Sequence, residues 1–271
     1  MNKIKVAVAG TGFIGPAHIE ALRRLPNIEV LGLAEANAEL ARTKADQLGI
    51  PRAYGDFQEL INDPDITCVH ICTPNFLHYP QSKAALLAGK HVVCEKPLAT
   101  KTEEAEELVK IAREKGLVNA LQFNVRYYPL VRQMKTMREK GDLGEIFSIM
   151  GSYLQDWLFL NTDYNWRLEP DKSGESRAIA DIGSHLMDLI EYVTGLHVTE
   201  VLADFSTVHK TRMKPLKAIE TYSGKMLTPE DYQEVPINTE DHANVLLRFD
   251  NGNKGVITVS QVAAGRKNRL N

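Results

Sequence analysis

The chain has 271 residues, room for one large domain or two ordinary ones, and its 44% hydrophobic and 25% charged content is that of a globular protein. A net charge of −3 builds no field for nucleic acid or an anionic membrane, and no apolar run approaches the ~18 residues of a membrane helix. Cys68, Cys72 and Cys94 sit in apolar runs without metal spacing, so reduced thiols, no bound metal and a cytoplasmic protein are expected.

In chain order, residues 4–9 (IKVAVA) read as a strand, too short and too strand-like for a signal peptide. A helix over 17–25 and an apolar strand over 29–34 follow, then a helix over 39–48 that stops at Gly49. Asp56 and Glu59 have capping-box spacing before a short helix at 57–62. A strand at 67–72 leads to a helix at 80–88 ending at Gly89, and 91–94 is a buried strand. Thr100 and Glu103 form a second capping box before a helix with apolar positions Ala105, Leu108, Val109 and Ala112; Gly116 ends it, and 117–123 is the last strand of this half. Such alternation predicts a doubly wound parallel sheet with helices on both faces.

After Asn124 the pattern changes. A helix over 130–139 precedes strand-like runs at 146–154, 198–208, 243–249 and 255–262, with one strong helix at 182–193 between them. Asp250-Asn251-Gly252-Asn253 signals a hairpin, so an α+β domain on a mainly antiparallel open sheet is expected. The basic cluster at 265–269 reads as a solvated tail.

Gly10, Gly12 and Gly15 fit G-x-G-x-x-G between a strand and a helix. The first glycine serves the tight turn, the second admits a pyrophosphate and the third packs helix on sheet, while the N–H groups at the helix start face the phosphate. Glu35 closes the second strand 20 residues after Gly15, where an acid accepts from a ribose and repels a 2′-phosphate; NAD is thus expected over NADP. Ligands of such sheets lie outside the carboxyl ends of the strands. The other strands deliver Thr73-Pro74-Asn75, Glu95-Lys96-Pro97 and Gln122-Phe123-Asn124 there. Lys96 thereby stands at the cofactor edge, unless it is a surface lysine with its stem on apolar neighbours.

In the second half, Asp181, His185 and Asp188 fall at i, i+4 and i+7 and share a face if the helix begins at Asp181. Spacing alone equally allows Asp181 as an N-cap and His185 as a core histidine; a metal pair lacks a third and fourth ligand. The segments Tyr153-Leu154-Gln155-Asp156-Trp157 and Tyr164-Asn165-Trp166-Arg167 mix rings with amides and charges, a lining suited to a sugar or polyol or, equally, to a domain-interface core.

Together these segments resemble the Gfo/Idh/MocA oxidoreductases. The resemblance rests on residues 10–15, Thr73-Pro74-Asn75, Ala88-Gly89-Lys90-His91-Val92, Glu95-Lys96-Pro97, Gln122-Phe123-Asn124-Val125-Arg126, Asp163-Tyr164-Asn165-Trp166-Arg167 and 181–185. It implies a Rossmann NAD(P)-binding domain at 1–123 and an α+β substrate and oligomerisation domain at 124–271, with a homodimer or homotetramer formed through its sheet. The family's chains carry more strands beyond a segment like 260–271, so the second domain is expected to be incomplete. Lys96, Asp181 and His185 match the family's catalytic lysine, aspartate and histidine. The cofactor contacts implied are Gly10, Gly12, Phe13, Ile14, Gly15, Glu35, Thr73, Pro74, Asn75, His78, Glu95, Lys96, Asn124, Trp166 and Arg167. The substrate contacts are Lys96, Tyr153, Asp156, Trp157, Asp181 and His185. The expected reaction moves a hydride between a secondary hydroxyl of a sugar, inositol or sugar derivative and NAD. A non-catalytic dinucleotide sensor, or a lyase or glycosidase recycling bound NAD, remain the alternatives.

Overall fold

The computed structural model describes residues 3–217 and 228–271, in two units, Met1–Gln122 and Phe123–Asn271. In the first, the elements are β1 (Ile4–Ala9), α1 (Gly15–Arg23), β2 (Ile28–Ala34), α2 (Ala38–Leu48), β3 (Arg52–Tyr54), α3 (Phe57–Asn62), β4 (Cys68–Ile71), α4 (Asn75–Leu87), β5 (His91–Glu95), α5 (Thr102–Glu114) and β6 (Asn119–Gln122). Side chains alternate between the faces of a strand. Val6 and Val8 of β1 accordingly join Ile19, Leu22 and Ala41 in one core, while Ala7 and Ala9 join Val69, Ile71, Leu86 and Leu108 in the other. All six strands pair in parallel in the order β3-β2-β1-β4-β5-β6. This is the doubly wound sheet that alternation implied, and its order reverses between β1 and β4, where such sheets open a ligand crevice.

Two local expectations fail here. The fourth helix starts at Asn75, so Pro80 lies inside it and removes one N–H, the partner of the Phe76 carbonyl. No capping box forms at Thr100: Lys101 is the N-cap of α5 and no side chain caps it. Glu103 and Glu104 in the first turn face the positive end of the helix instead. Of the four apolar positions read on α5, Leu108 and Ala112 are buried, whereas Val109 is exposed.

The second unit comprises α6 (Pro129–Lys140), β7 (Ser148–Leu154), a one-turn α7 (Pro170–Ser173), a π-helical turn (Ile179–Gly183) continuing into α8 (Ser184–Thr194), β8 (Val198–Ser206), β9 (Thr211–Pro215), β10 (Tyr232–Pro236), β11 (His242–Phe249), β12 (Lys254–Ser260) and β13 (Lys267–Leu270). Five strands run β13-β7-β12-β11-β8; β7 and β12 are parallel and the other pairs antiparallel. Ala243, Val245, Leu247 and Phe249 alternate inward along β11 and meet Leu186 and Ile190 of α8. The hairpin between β11 and β12 turns at Gly252, at φ +86°, as its sequence suggested. β9 and β10 form a separate two-stranded sheet.

The basic cluster is not a solvated tail. Residues Lys267–Leu270 are an edge strand on β7, with Asn268 opposite Tyr153, and the Asn268 side chain accepts from Gln155 Nε2 at 2.9 Å. Charged side chains suit an edge strand, which is why the segment carries no apolar signature.

Candidate functional site

The glycine loop is built around two forbidden side chains and one permitted space. Gly10 turns the chain at φ +85°, and a Cβ there would lie 2.8 Å from the Cys72 carbonyl oxygen. A Cβ on Gly15 would lie 2.2 Å from the Gly10 carbonyl oxygen, whereas one on Gly12 would meet nothing within 4 Å. The outer glycines are therefore required by the loop itself, and the middle one leaves open the space that a close-approaching pyrophosphate would need. Thr11, 3% exposed, donates its backbone N–H and its hydroxyl to Glu35 Oε1, each at 2.5 Å. One oxygen of Glu35 is thus spent tying the loop to the end of β2. Phe13 is exposed, and Ile14 packs on the core of this face.

At the next strand ends, His78 is 1% exposed and both its nitrogens meet carbonyl oxygens: Nδ1 that of Pro97 at 2.6 Å, Nε2 that of Thr73 at 2.7 Å. Burial draws its pKa down, against the two carbonyls, which favour N–H on both ring nitrogens. The ring is buried and staples the loop after β4 to the loop after β5. Thr73 Oγ1 donates to Gln81 Oε1 at 2.7 Å, Pro74 is the N-cap of α4, and Asn75 is its first residue. The Lys96–Pro97 peptide is cis, and the Lys96 N–H donates to Glu95 Oε2 at 3.3 Å.

Behind that turn runs a buried chain of polar groups. Glu95 Oε1 lies 3.0 Å from His18 Nε2, and His18 Nδ1 lies 2.9 Å from His70 Nδ1. Burial, and then the neighbouring His18, push the His70 pKa down to about 4. The chain links α1, which follows the glycine loop, to β4 and to the turn carrying Lys96.

In the second unit, Glu240 caps a helix from a distance. Its Oε1 accepts from the N–H groups of Arg177 at 2.9 Å and Ile179 at 3.0 Å and from Ser176 Oγ at 2.8 Å. The π-helical turn begins there, with Ser184 N–H reaching back to the Ile179 carbonyl. Asp181 lies inside that turn and is no N-cap. Its Oδ2 accepts from Gln261 Nε2 at 3.0 Å and faces Arg167 Nε at 3.3 Å. Arg167 lies 4.6 Å over the Trp166 ring, whose turn is capped by Asn165. The His185 ring stacks on Tyr153 with centroids 6.3 Å apart and meets Phe123 edge-on at 5.5 Å. Burial raises the Tyr153 pKa, holding the phenol neutral. Asp181 lies in the π turn, His185 and Asp188 in the regular helix that follows, and Asp188 pairs with Arg126, Nε to Oδ2 at 2.7 Å.

Family comparison decides the class. Residues 4–123 match an oxidoreductase family with an NAD-binding Rossmann fold, and residues 131–271 match the GFO/IDH/MocA C-terminal domain. The chain belongs to the Gfo/Idh/MocA oxidoreductase family. It is 34% identical to a levoglucosan dehydrogenase of Pseudarthrobacter phenanthrenivorans, an alignment spanning 100% of this chain and 70% of that protein. Among solved structures it is similar to levoglucosan dehydrogenase in complex with NADH and levoglucosan (TM-score 0.87, 33% identity, 99% of this chain, 70% of that one). It is also similar to an inositol dehydrogenase homolog from Azotobacter vinelandii complexed with NAD+ (TM-score 0.81, 26% identity, 99% and 67%).

For this Gfo/Idh/MocA chain, the second unit gathers Tyr153, Trp166, Arg167, Asp181 and His185 from the residues singled out in the sequence. Asp156 instead pairs with Arg266 at 3.6 Å, Trp157 packs into the apolar core, and Asn124 opens a 3₁₀ turn. Sequence reasoning missed His18, His70, Arg177, Glu240 and Gln261. The available signal was a polar residue inside a buried run, as His70 is between Val69 and Ile71. Among the described residues no cluster of three His, Cys, Asp or Glu side chains can hold a metal ion, and no helix is long and apolar enough to cross a membrane.

Proposed function

We propose that the chain oxidises a secondary hydroxyl of a sugar or polyol, reversibly. NAD, when bound, supplies the hydride acceptor. Gly10, Gly12 and Gly15 with the start of α1 would hold its pyrophosphate, and the oxygen of Glu35 not taken by Thr11 its ribose. A carboxylate at that position repels a 2′-phosphate, so NAD is favoured over NADP.

The protein's own groups divide the remaining work. His185 takes the hydroxyl proton on its imidazole, as general base. Asp181 orients the reacting groups and opposes the positive charge that the imidazole gains. Lys96 donates a hydrogen bond to the substrate oxygen and steadies it as it becomes an alkoxide. Tyr153 and Trp166 offer flat faces to the C–H side of a sugar ring. The chain acts as a homodimer or homotetramer through the five-stranded sheet, whose outer face exposes Met150, Leu202 and Leu246.

The observation that carries this reading is the cradle at Gly12, open where its neighbouring glycines are closed. The relatives named as sugar and inositol dehydrogenases support the substrate class. The test is a panel of anhydrosugars, hexoses and inositols, each with NAD and with NADP, followed by NADH absorbance. Lys96→Met is expected to cut turnover on the order of 100- to 1,000-fold while NADH binding persists. Full activity in that variant would refute the assignment.

A further inference from the structure

Gln261, just beyond β12, is 0% exposed and lies between Arg177 and Asp181. Its Oε1 is 3.2 Å from Arg177 Nη1, and its Nε2 is 3.0 Å from Asp181 Oδ2. A guanidinium offers only N–H groups, so the amide atom facing Arg177 is the oxygen. The amide nitrogen then faces Asp181, and a nitrogen of that kind only donates. Flipping the amide would set N–H against N–H at one end and oxygen against oxygen at the other.

We propose that Gln261 is a positioning residue which, oriented by Arg177, holds Asp181 as an ionised hydrogen-bond acceptor. The proposal rests on the reading of Asp181 as part of the reacting site.

Both ends of the amide are pinned. Arg177 donates from Nε to Thr239 Oγ1 at 3.0 Å and from Nη2 to the Thr239 carbonyl at 3.2 Å, and its Nη2 lies 3.6 Å from Asp241 Oδ2. The guanidinium therefore has no freedom to turn away. The Gln261 backbone is held in the same place, its N–H on the Asp241 carbonyl at 2.9 Å and its carbonyl on the Leu158 N–H at 3.2 Å. Asp241 in turn accepts from the Val208 N–H at 2.8 Å. A buried, doubly anchored side chain loses little further entropy in donating, and a donor aimed at a carboxylate makes a stronger bond than one aimed at a neutral acid.

The charges around Asp181 act in the same direction. Arg167 faces it from the turn after Asn165, and Arg177 and Tyr153 lie close enough to feel its charge. The two arginines favour its anion, Tyr153 is neutral, and His185 follows on the same helix. Asp181 is accordingly an acceptor that fixes donors around the substrate, and the proton-carrying role falls to His185.

The test uses the full chain carrying aspartate labelled with ¹³C at the side-chain carboxyl. The Asp181 signal is identified by its absence in Asp181→Asn. In Gln261→Leu the carboxyl titration midpoint is expected to rise by about one pH unit, the size of one lost hydrogen bond to a charged group. In Gln261→Glu it should rise further, because a second carboxylate faces the first. That variant also keeps a partner for Arg177, so it reports even if the leucine variant does not fold. With the polyol that the screen identifies, the acid limb of kcat should move in step with the midpoint while KM stays near the wild-type value. A titration unchanged in both variants would overturn the proposal. A titration that moves while the pH profile of kcat does not would uphold the Gln261 relay and overturn the place of Asp181 in the reacting site.

Discussion

Replacing Gly12 by alanine separates cofactor binding from folding. The new Cβ would meet no atom within 4 Å, and Gly12 is not among the glycines at positive φ. Folding should therefore be unharmed, and the loss of a flexible glycine in the unfolded chain should add about 0.4–1 kcal/mol of stability. The same methyl stands where the backbone must approach a pyrophosphate. Overpacking of that kind costs about 1–3 kcal/mol, and each 1.4 kcal/mol is about tenfold in affinity, so NADH should bind roughly ten- to a hundredfold more weakly. Gly15→Ala should do the reverse. Its Cβ would sit 2.2 Å from a backbone carbonyl that cannot swing aside, so the melting temperature should fall. The assays are thermal unfolding and an NADH fluorescence titration on both variants. Wild-type NADH affinity in a well-folded Gly12→Ala would refute the cradle.

The His70 environment sets a sign for pH dependence. Its pKa in the folded chain is about 4, below the ordinary 6.5, so the unfolded chain takes up a proton first as pH falls. Its contribution is whole above pH 6.5 and is lost as pH falls through about 4. His70→Gln should flatten the fall in melting temperature over that window, and an unchanged slope would count against a neutral His70. Asp241→Asn leaves two buried arginines, Arg177 at 3.6 Å and Arg212 at 3.8 Å, without their carboxylate. Removing one partner of a buried ion cluster costs about 3–5 kcal/mol, which denaturant unfolding would measure.

How far the sequence spoke depended on how local each signal was. Val6 to Ala9 announce a buried strand because their apolar run is complete within four residues. The glycine loop is legible for the same reason, since its turn, cradle and helix start are contiguous. β3, with three residues, is too short to show a period, and β13 is a strand by virtue of pairing with β7. His78 shows the limit in the site: the sequence names the residue, but the direction of its ring is set by carbonyls at Thr73 and Pro97, which only the folded chain brings to it. Gln261 lies 80 residues from Asp181, and nothing short of the folded chain joins them.

The π-helical turn carries an implication for how such sites diverge. Its hydrogen-bonded ring, from Ser184 back to Ile179, encloses one residue more than an α turn would. A single deletion there would leave an unbroken α-helix and change the angle between Asp181 and His185 around its axis. Here the count of residues is itself an angular dial, and losing one would re-aim the carboxylate.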